Sequence, residues 1–322
     1  MAVLVTGIGY IGARLVERLL ERGEEVIGLD NFFSTDKKTL LRLARHPRAH
    51  FLKGSITNPK AVESAFSLGP HIEVVYHLAA QASGHPEAAN SRYTEATNLT
   101  GPRLLLDIMR QHGTFNLVFA SSLRVYGEDV GRLPAEDSPY GEFADLSHLS
   151  KYYTEKLLEM YCCLYGFNAA SLRLGVTYGL SPVMKESYRF MTAPNKFCLQ
   201  AVRGQAVSVY SDKPTYVGFI HVDDAAGALS CLPGNFQGCA AFNGATEITT
   251  VHHLAALVAR EGERLGLPVF LNGAAADDEY PAKGPLFSPR LAEMGFEPRH
   301  CLVDGVREVL GHFLKAKGKM PS

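Results

Sequence analysis

The sequence predicts an α/β fold, a doubly wound parallel sheet with a smaller C-terminal lobe. Short apolar runs alternate with amphipathic helical stretches through the first half, as they do where helices cover both faces of a parallel sheet. The first run leads into a glycine-punctuated turn, and the texture changes after about Gly179. In order, Val3-Leu4-Val5 predicts a strand, 11–21 a helix closed by Gly23, and 26–29 the next strand. Further strands are predicted at 50–52, 74–78, 117–120 and 170–173, with helices near 59–66, 100–111 and 150–165. Beyond Gly179 the loops lengthen, and non-alternating segments at 182–194, 234–244 and 272–289 separate the helices. Residues 1–179 are expected to form the main domain, with 215–245 returning to it, and 180–322 most of the smaller lobe.

The 322 residues are 46% hydrophobic and 20% charged, with a formal net charge of -1, an ordinary composition for one large core and an attached lobe. Lys and Arg are scattered, which argues against a nucleic-acid partner. No apolar run reaches the roughly 18 residues a membrane span requires. The opening Ala2-Val3-Leu4-Val5 lacks the basic start of a signal peptide. Cys162, Cys163, Cys198, Cys231, Cys239 and Cys301 show no Cys-x-x-Cys pair and no histidine grouping. Reduced thiols in a cytoplasmic protein, and no metal site, are the expectation.

Thr6-Gly7-Ile8-Gly9-Tyr10-Ile11-Gly12 follows a strand and opens a helix. Glycines let such a turn be tight and let its backbone approach a dinucleotide pyrophosphate, while the helix amides favour negative charge. About 18 residues beyond Gly12, the second strand ends in Asp30, completing the Rossmann context that a bare Gly-x-Gly-x-x-Gly lacks. A carboxylate there accepts ribose hydroxyls and repels a 2′-phosphate. No Arg follows it directly, so NAD is expected rather than NADP. Gly7, Gly9, Tyr10, Ile11, Gly12 and Asp30 are its predicted contacts.

Further along come Asp30-Asn31-Phe32-Phe33-Ser34-Thr35, Gly54-Ser55-Ile56, His77-Leu78-Ala79-Ala80-Gln81-Ala82-Ser83, Asn98-Leu99-Thr100-Gly101 and Ser121-Ser122-Leu123-Arg124-Val125-Tyr126-Gly127. Then follow Ser150-Lys151, Leu172-Arg173, Tyr178-Gly179, Phe219-Ile220-His221-Val222-Asp223-Asp224, Asn243-Gly244 and Gly295-Phe296-Glu297-Pro298. In this order and spacing they resemble the NAD-dependent epimerase/dehydratase branch of the extended short-chain dehydrogenases/reductases, the nucleotide-sugar enzymes. The likeness covers nearly the whole chain. It implies that Asn31, Ser34, Ser55, Ile56, Leu78, Ala79, Ala80 and Gln81 also line the cofactor, and that Asn98 packs near the catalytic helix. Two features depart from the family. The glycine turn is one residue short, and Ser55 replaces the usual Asp.

Catalysis in the resembled family uses Ser or Thr, Tyr and Lys. The Tyr, its pKa lowered by the Lys and the nicotinamide charge, takes a sugar-hydroxyl proton while hydride passes to NAD. The resemblance places Ser122 at the Ser/Thr position, although a strand-end serine also bonds backbone. Two registers fit the Tyr-Lys pair, four apart on one helix face. Tyr152 and Lys156 match literally. Ser150-Lys151, Glu155, Tyr165-Gly166 and Leu172-Arg173 fit without a gap, whereas choosing Lys156 displaces the helix start by about 7 Å. The gapless register makes Lys151 the family lysine and puts Ser147 where the tyrosine belongs.

A serine hydroxyl is shorter and far less acidic than a phenol, and Ser147 reads equally as a helix N-cap. Tyr152, about 140° around the helix from Ser147, reads as a packing or interface residue. Water, His148, Tyr126, a residue of the second lobe, or a tyrosine deliberately replaced all stay open for the proton transfer. In the second lobe the family's Asn and Arg positions read Val176 and Val217, with Lys185, Arg189, Lys196, Arg203 and Lys213 as other cations. Asp223 and Asp224 are expected to cap the following helix. The resemblance implies a homodimer, formed through the helices around 100–111 and 150–165, and a sugar epimerase or dehydratase acting on a nucleotide sugar. A dehydrogenase of a non-nucleotide alcohol or ketone, and a non-catalytic NAD-binding relative, are the alternatives.

Overall fold

A computed structural model of the chain describes residues 1–35, 37–82, 90–184, 188, 190–209, 214–273 and 282–317. The first half runs β1 (Ala2–Thr6), α1 (Tyr10–Glu21), β2 (Glu25–Asp30), α2 (Lys37–Leu43), β3 (Ala49–Lys53), α3 (Pro59–Phe66), β4 (Val74–His77) and α4 (Ser91–Glu95). A π-helical turn, Ala96–Thr100, leads into α5 (Gly101–Gln111), β5 (Asn116–Ser122), a 3-10 turn at Leu123–Tyr126, α6 (Leu146–Tyr165) and β6 (Asn168–Leu174). Then come β7 (Val176–Tyr178), α7 (Ala193–Val202), β8 (Val207–Ser208), β9 (Tyr216–His221), α8 (Val222–Cys231), β10 (Cys239–Ala245) and β11 (Glu247–Thr250). The chain ends with α9 (Val251–Arg264), β12 (Leu271–Asn272), β13 (Leu286–Phe287), α10 (Pro289–Glu293) and α11 (Leu302–Lys317).

Among the described residues, eight strands form the main sheet in the order β13-β10-β6-β5-β4-β1-β2-β3, parallel throughout except at β13. Every residue of β1 is buried, because a parallel strand is covered on both faces. Val3 and Val5 pack into a core that includes Leu15, Leu19, Ala225 and Leu229 of α1 and α8. Ala2 and Leu4 face the opposite core, with Val62, Leu105 and Leu158 of α3, α5 and α6. The doubly wound fold is therefore present as expected.

A second body builds its own core from Phe197, Val217, Leu254 and Val306. Its three-stranded sheet runs β11-β9-β7. Tyr216–His221 belongs to that sheet, and the chain rejoins the main body only with α8 and β10. The crossing from β6 to β7 is tight. A Cβ on Gly175 would lie 2.6 Å from the Gly218 carbonyl oxygen, so two backbones touch there with no side chain between.

Three local expectations are corrected. α6 begins at Leu146, and its N-cap is Asp145, whose side chain accepts from His148 N, so Ser147 lies inside the first turn and is not the cap. α8 is capped by His221, accepting from Asp223 N. Asp223 instead pairs with Arg14, and Asp224 accepts from Arg299 N and His300 N, both at 3.0 Å. The segment 234–244, which reads as irregular, contains most of β10. Parallel pairing with β6 sets its register, which short sequence periodicity cannot reveal.

Candidate active site

Strand β1 sits between β2 and β4, one leading outward to β3 and the other back through β5 and β6. Such a reversal opens a crevice beyond the carboxyl ends of the strands. A cavity of about 750 Å³ occupies this crevice and extends to the second body, within the roughly 300–1,000 Å³ of small-molecule sites.

The three glycines of the first turn differ. Gly7 has φ 81°, and a Cβ there would lie 2.5 Å from Ala79 N, while one on Gly12 would lie 2.0 Å from the Gly7 carbonyl oxygen. A Cβ on Gly9 would meet only Thr35 Oγ1, at 3.9 Å. Gly7 and Gly12 are thus needed by the protein itself, and Gly9 keeps backbone open to the cavity. Asp30 closes this end. Its Oδ2 accepts from Ile8 N at 2.6 Å and Thr35 Oγ1 at 3.2 Å, and its Oδ1 from Phe32 N at 2.7 Å. Burial raises its pKa, with those donors opposing.

Tyr10, Ile11, Asn31, Ser34, Ser55, Ile56, Leu78, Ala79, Ala80 and Gln81 also line the cavity. The Tyr10 hydroxyl is already committed, donating to Gly179 O at 2.5 Å and accepting from Asn195 Nδ2 at 3.0 Å. Asn31 likewise donates to the Tyr93 hydroxyl at 2.9 Å. Asn98 stands behind the wall. Its Oδ1 accepts from Gln81 N, and its Nδ2 donates to Gln81 O (both 2.8 Å) and to Ser150 Oγ at 3.0 Å, clamping the end of β4 onto α6. Ser83, in the same sequence motif, lies outside the described residues.

At the other end of the cavity are Ser122, Lys151 and His148. Ser122 Oγ accepts from Arg124 N at 3.2 Å. Lys151 is buried, and its Nζ donates to Ala120 O at 2.7 Å and sits 4.7 Å from the centre of the Phe119 ring. Burial pulls its pKa down to about 8, against the pull of Glu155. Lys156 lies on the outside of α6, 2.8 Å from Glu159, and Tyr152 packs against Tyr140 and Phe143. Ser147 does not line the cavity. Its hydroxyl donates to Gln81 O at 3.2 Å.

Below the floor runs a buried pair, Arg173 Nη2 to Glu155 Oε2 at 2.7 Å, joined by the Ser121 and Tyr140 hydroxyls. Tyr126 belongs to this network, donating to Asn243 Oδ1 at 2.8 Å and accepting from Arg173. It is absent from the cavity wall, so it is no ready proton acceptor. In the second body the wall includes Val176, Val217, Phe190, Phe197 and Lys196. Arg203 bonds the Tyr188 hydroxyl at 3.0 Å, and Lys185, Arg189 and Lys213 lie outside the described residues.

One cluster had no signal in sequence spacing. His221, Asp223 and His300 bring ligand atoms within 4.8 Å of one another, although residue 300 is remote in the chain. The two rings stack, 4.0 Å apart at 17°, so their lone pairs lie in two nearly parallel, separated planes, and Arg14 engages both Asp223 oxygens. Convergence on one ion requires different geometry.

The profile of the NAD dependent epimerase/dehydratase family matches residues 3–243. A putative UDP-glucose 4-epimerase of Methanocaldococcus jannaschii is 28% identical over 322 residues, covering 96% of this chain and 97% of its own. The UDP-glucose 4-epimerase of Thermotoga maritima, solved with UDP-glucose, superposes with a TM-score of 0.82 at 28% identity, covering 98% of this chain and 100% of its own. That of Thermus thermophilus, solved with NAD, gives 0.82 at 27% identity, covering 99% and 100%.

Proposed function

The chain belongs to the NAD-dependent epimerase/dehydratase family, and from that premise we propose that it oxidises a carbon of a nucleotide sugar transiently, giving epimerisation or dehydration. The fold is α/β, the cofactor is NAD and the protein is an enzyme. One observation carries the assignment of roles. A single cavity runs from the glycine turn and Asp30, past Ser122 and Lys151, into the second body.

The residues present fit the dinucleotide. Gly9 leaves its backbone bare where a Cβ would fill the cavity, and Asp30 presents a carboxylate beside it. Bound there, NAD supplies the hydride acceptor and donor. Lys151 holds positive charge beneath the reacting end, and Ser122 is placed to hold the sugar oxygen. Asn98 and Ser147 position the wall through Gln81. Residues 1–175, with α8, β10 and β13, act as the cofactor half. Most of 180–322 acts as the sugar-nucleotide half, where Lys196 is the described cation on the cavity wall.

The expected assay result is either an epimer that carries no carbon-bound hydrogen from water or a dehydrated product that takes one up, with no net NADH in both cases. A non-nucleotide dehydrogenase gives NADH in proportion to product instead. NAD at about 100 times its Kd is expected to stabilise the fold by about 2.7 kcal/mol. Absence of any thermal shift, together with no turnover of UDP-glucose or its relatives, overturns the reading.

A homodimer through one face of α6 is part of this reading. Leu149, Tyr153, Met160 and Leu164 recur along it and are exposed, Leu164 at 62%, an apolar stripe of the kind a partner covers. No helix of the described residues is long and apolar enough to cross a membrane. The six free cysteines fit a reducing compartment such as the cytoplasm.

A further inference from the structure

Oxidising a hydroxyl-bearing carbon requires a base, in its proton-accepting form, that meets the substrate oxygen. Ser147 is turned away to Gln81 O, and Tyr126 is held by Arg173 and Asn243. Lys151 Nζ is turned to Ala120 O and the Phe119 ring, and as an ammonium it carries no lone pair for a proton. Glu128 reaches the wall but is largely exposed, near Arg124 at 3.8 Å. Among the described residues at this end, His148 is left.

One carboxylate fixes His148 twice. Asp145 Oδ1 accepts from His148 N at 2.8 Å, and Asp145 Oδ2 lies 2.7 Å from the ring Nδ1. The proton is thereby held on Nδ1, and Nε2, which makes no hydrogen bond within the described residues, carries a lone pair for a ligand. The ring is half-buried and lines the cavity one residue from the position where the family carries its phenol.

We infer that His148, positioned by Asp145, is the general base of this site. The inference rests on the sugar-oxidation reading above. As the carbon–hydrogen bond breaks and its electron pair leaves as hydride for the nicotinamide, Nε2 takes the hydroxyl proton and a carbonyl forms. In the return step hydride comes back to carbon and the imidazolium gives up the same proton, so no outside oxidant is needed. Burial lowers the His148 pKa, aided by Arg124 and opposed by Asp145 and Glu128. The positive end of the α6 dipole also disfavours imidazolium, and Lys151 lies one turn further along.

The test uses the full chain with UDP-glucose, UDP-N-acetylglucosamine, UDP-glucuronate and dTDP-glucose as probes, and NADH affinity by fluorescence. His148→Gln is expected to lower kcat by at least about 100-fold and to abolish the acid limb of the rate profile, with NADH affinity within about twofold. Ser147→Tyr added to His148→Gln restores turnover by supplying a phenol. Asp145→Asn keeps a good N-cap but removes an anion that favours imidazolium, so the acid limb moves to lower pH. A His148→Gln enzyme with unchanged kcat and acid limb, or with its NADH affinity lost, overturns the inference and leaves the function standing. An unmoved limb in Asp145→Asn does the same. A wild-type chain that binds no NADH, or turns over none of the probes, overturns the function and this inference with it.

Discussion

Gly7 and Gly9 are two residues apart, yet they answer to different demands. Gly7→Ala forces a left-handed backbone and a Cβ against the Ala79 backbone, so the expected outcome is destabilisation of at least about 1–3 kcal/mol, read as a fall in Tm. Gly9→Val projects into open cavity. Because Gly9 is the N-cap residue of α1, the variant is expected to keep the fold apart from about 1 kcal/mol of lost capping preference, while NADH affinity falls by about tenfold or more. Equal thermal losses for both variants refute the distinction. Lys151 has a separate signature. Its folded pKa of about 8 lies below the reference 10.5, so between those values the unfolded chain binds a proton that the folded one does not. Stability therefore rises with pH across that window, and below pH 8 the full penalty is present. Lys151→Met is expected to raise stability at pH 7 and remove this share of the rise, as denaturant titrations at pH 7 and 9.5 will show.

At the scale of elements, α6 serves two surfaces at once. Its first two turns present His148 and Lys151 to the cavity, and its outer face carries exposed apolar residues on either side of Lys156. Met160→Glu with Leu164→Glu is expected to give a monomer by light scattering where the wild type gives a dimer, with NADH binding retained. A wild type already monomeric at micromolar concentration removes the dimer. Strands β1 to β6 were legible because buried parallel strands read as continuous apolar runs, and α1, α3 and α5 because their apolar faces recur at helical spacing. Strands β7, β8, β11, β12 and β13 span only two to four residues, too few to show a period. The start of α6 was missed because its cap, Asp145, is followed by Leu146 and Leu149 set singly among polar residues rather than by an apolar run. At the site, glycine spacing and Asp30 were readable locally. The roles of Asn98 and Tyr126 depend on partners from remote segments, which no local pattern carries, whereas His148 is held by Asp145 three residues away and only its place on the cavity wall comes from the fold.

For the whole molecule, the cavity lies between two cores, one on the main sheet and one in the second body. Tyr10 and Gly179 join them at the glycine turn, and Arg14 with Asp223 joins α1 to α8. Dinucleotide in the cavity is expected to stabilise the chain as one cooperative unit, so a single thermal transition that shifts as a whole, with no lobe left unshifted, is the expected outcome.

The backbone contact at Gly175 and Gly218 belongs to a chain that passes between the bodies five times, after β6, β9, β10, β12 and α10. No single cut separates such a molecule. The exposed loop at Gly204 and Gln205 offers a place to sever it. Afterwards β7 still pairs with β9, β6 with β10, and α1 still packs on α8. A chain nicked there is expected to migrate as one particle on gel filtration and as two fragments in denaturing gels, and separately expressed halves are expected to recombine. Two particles under native conditions would show that the stitching holds less than its topology implies.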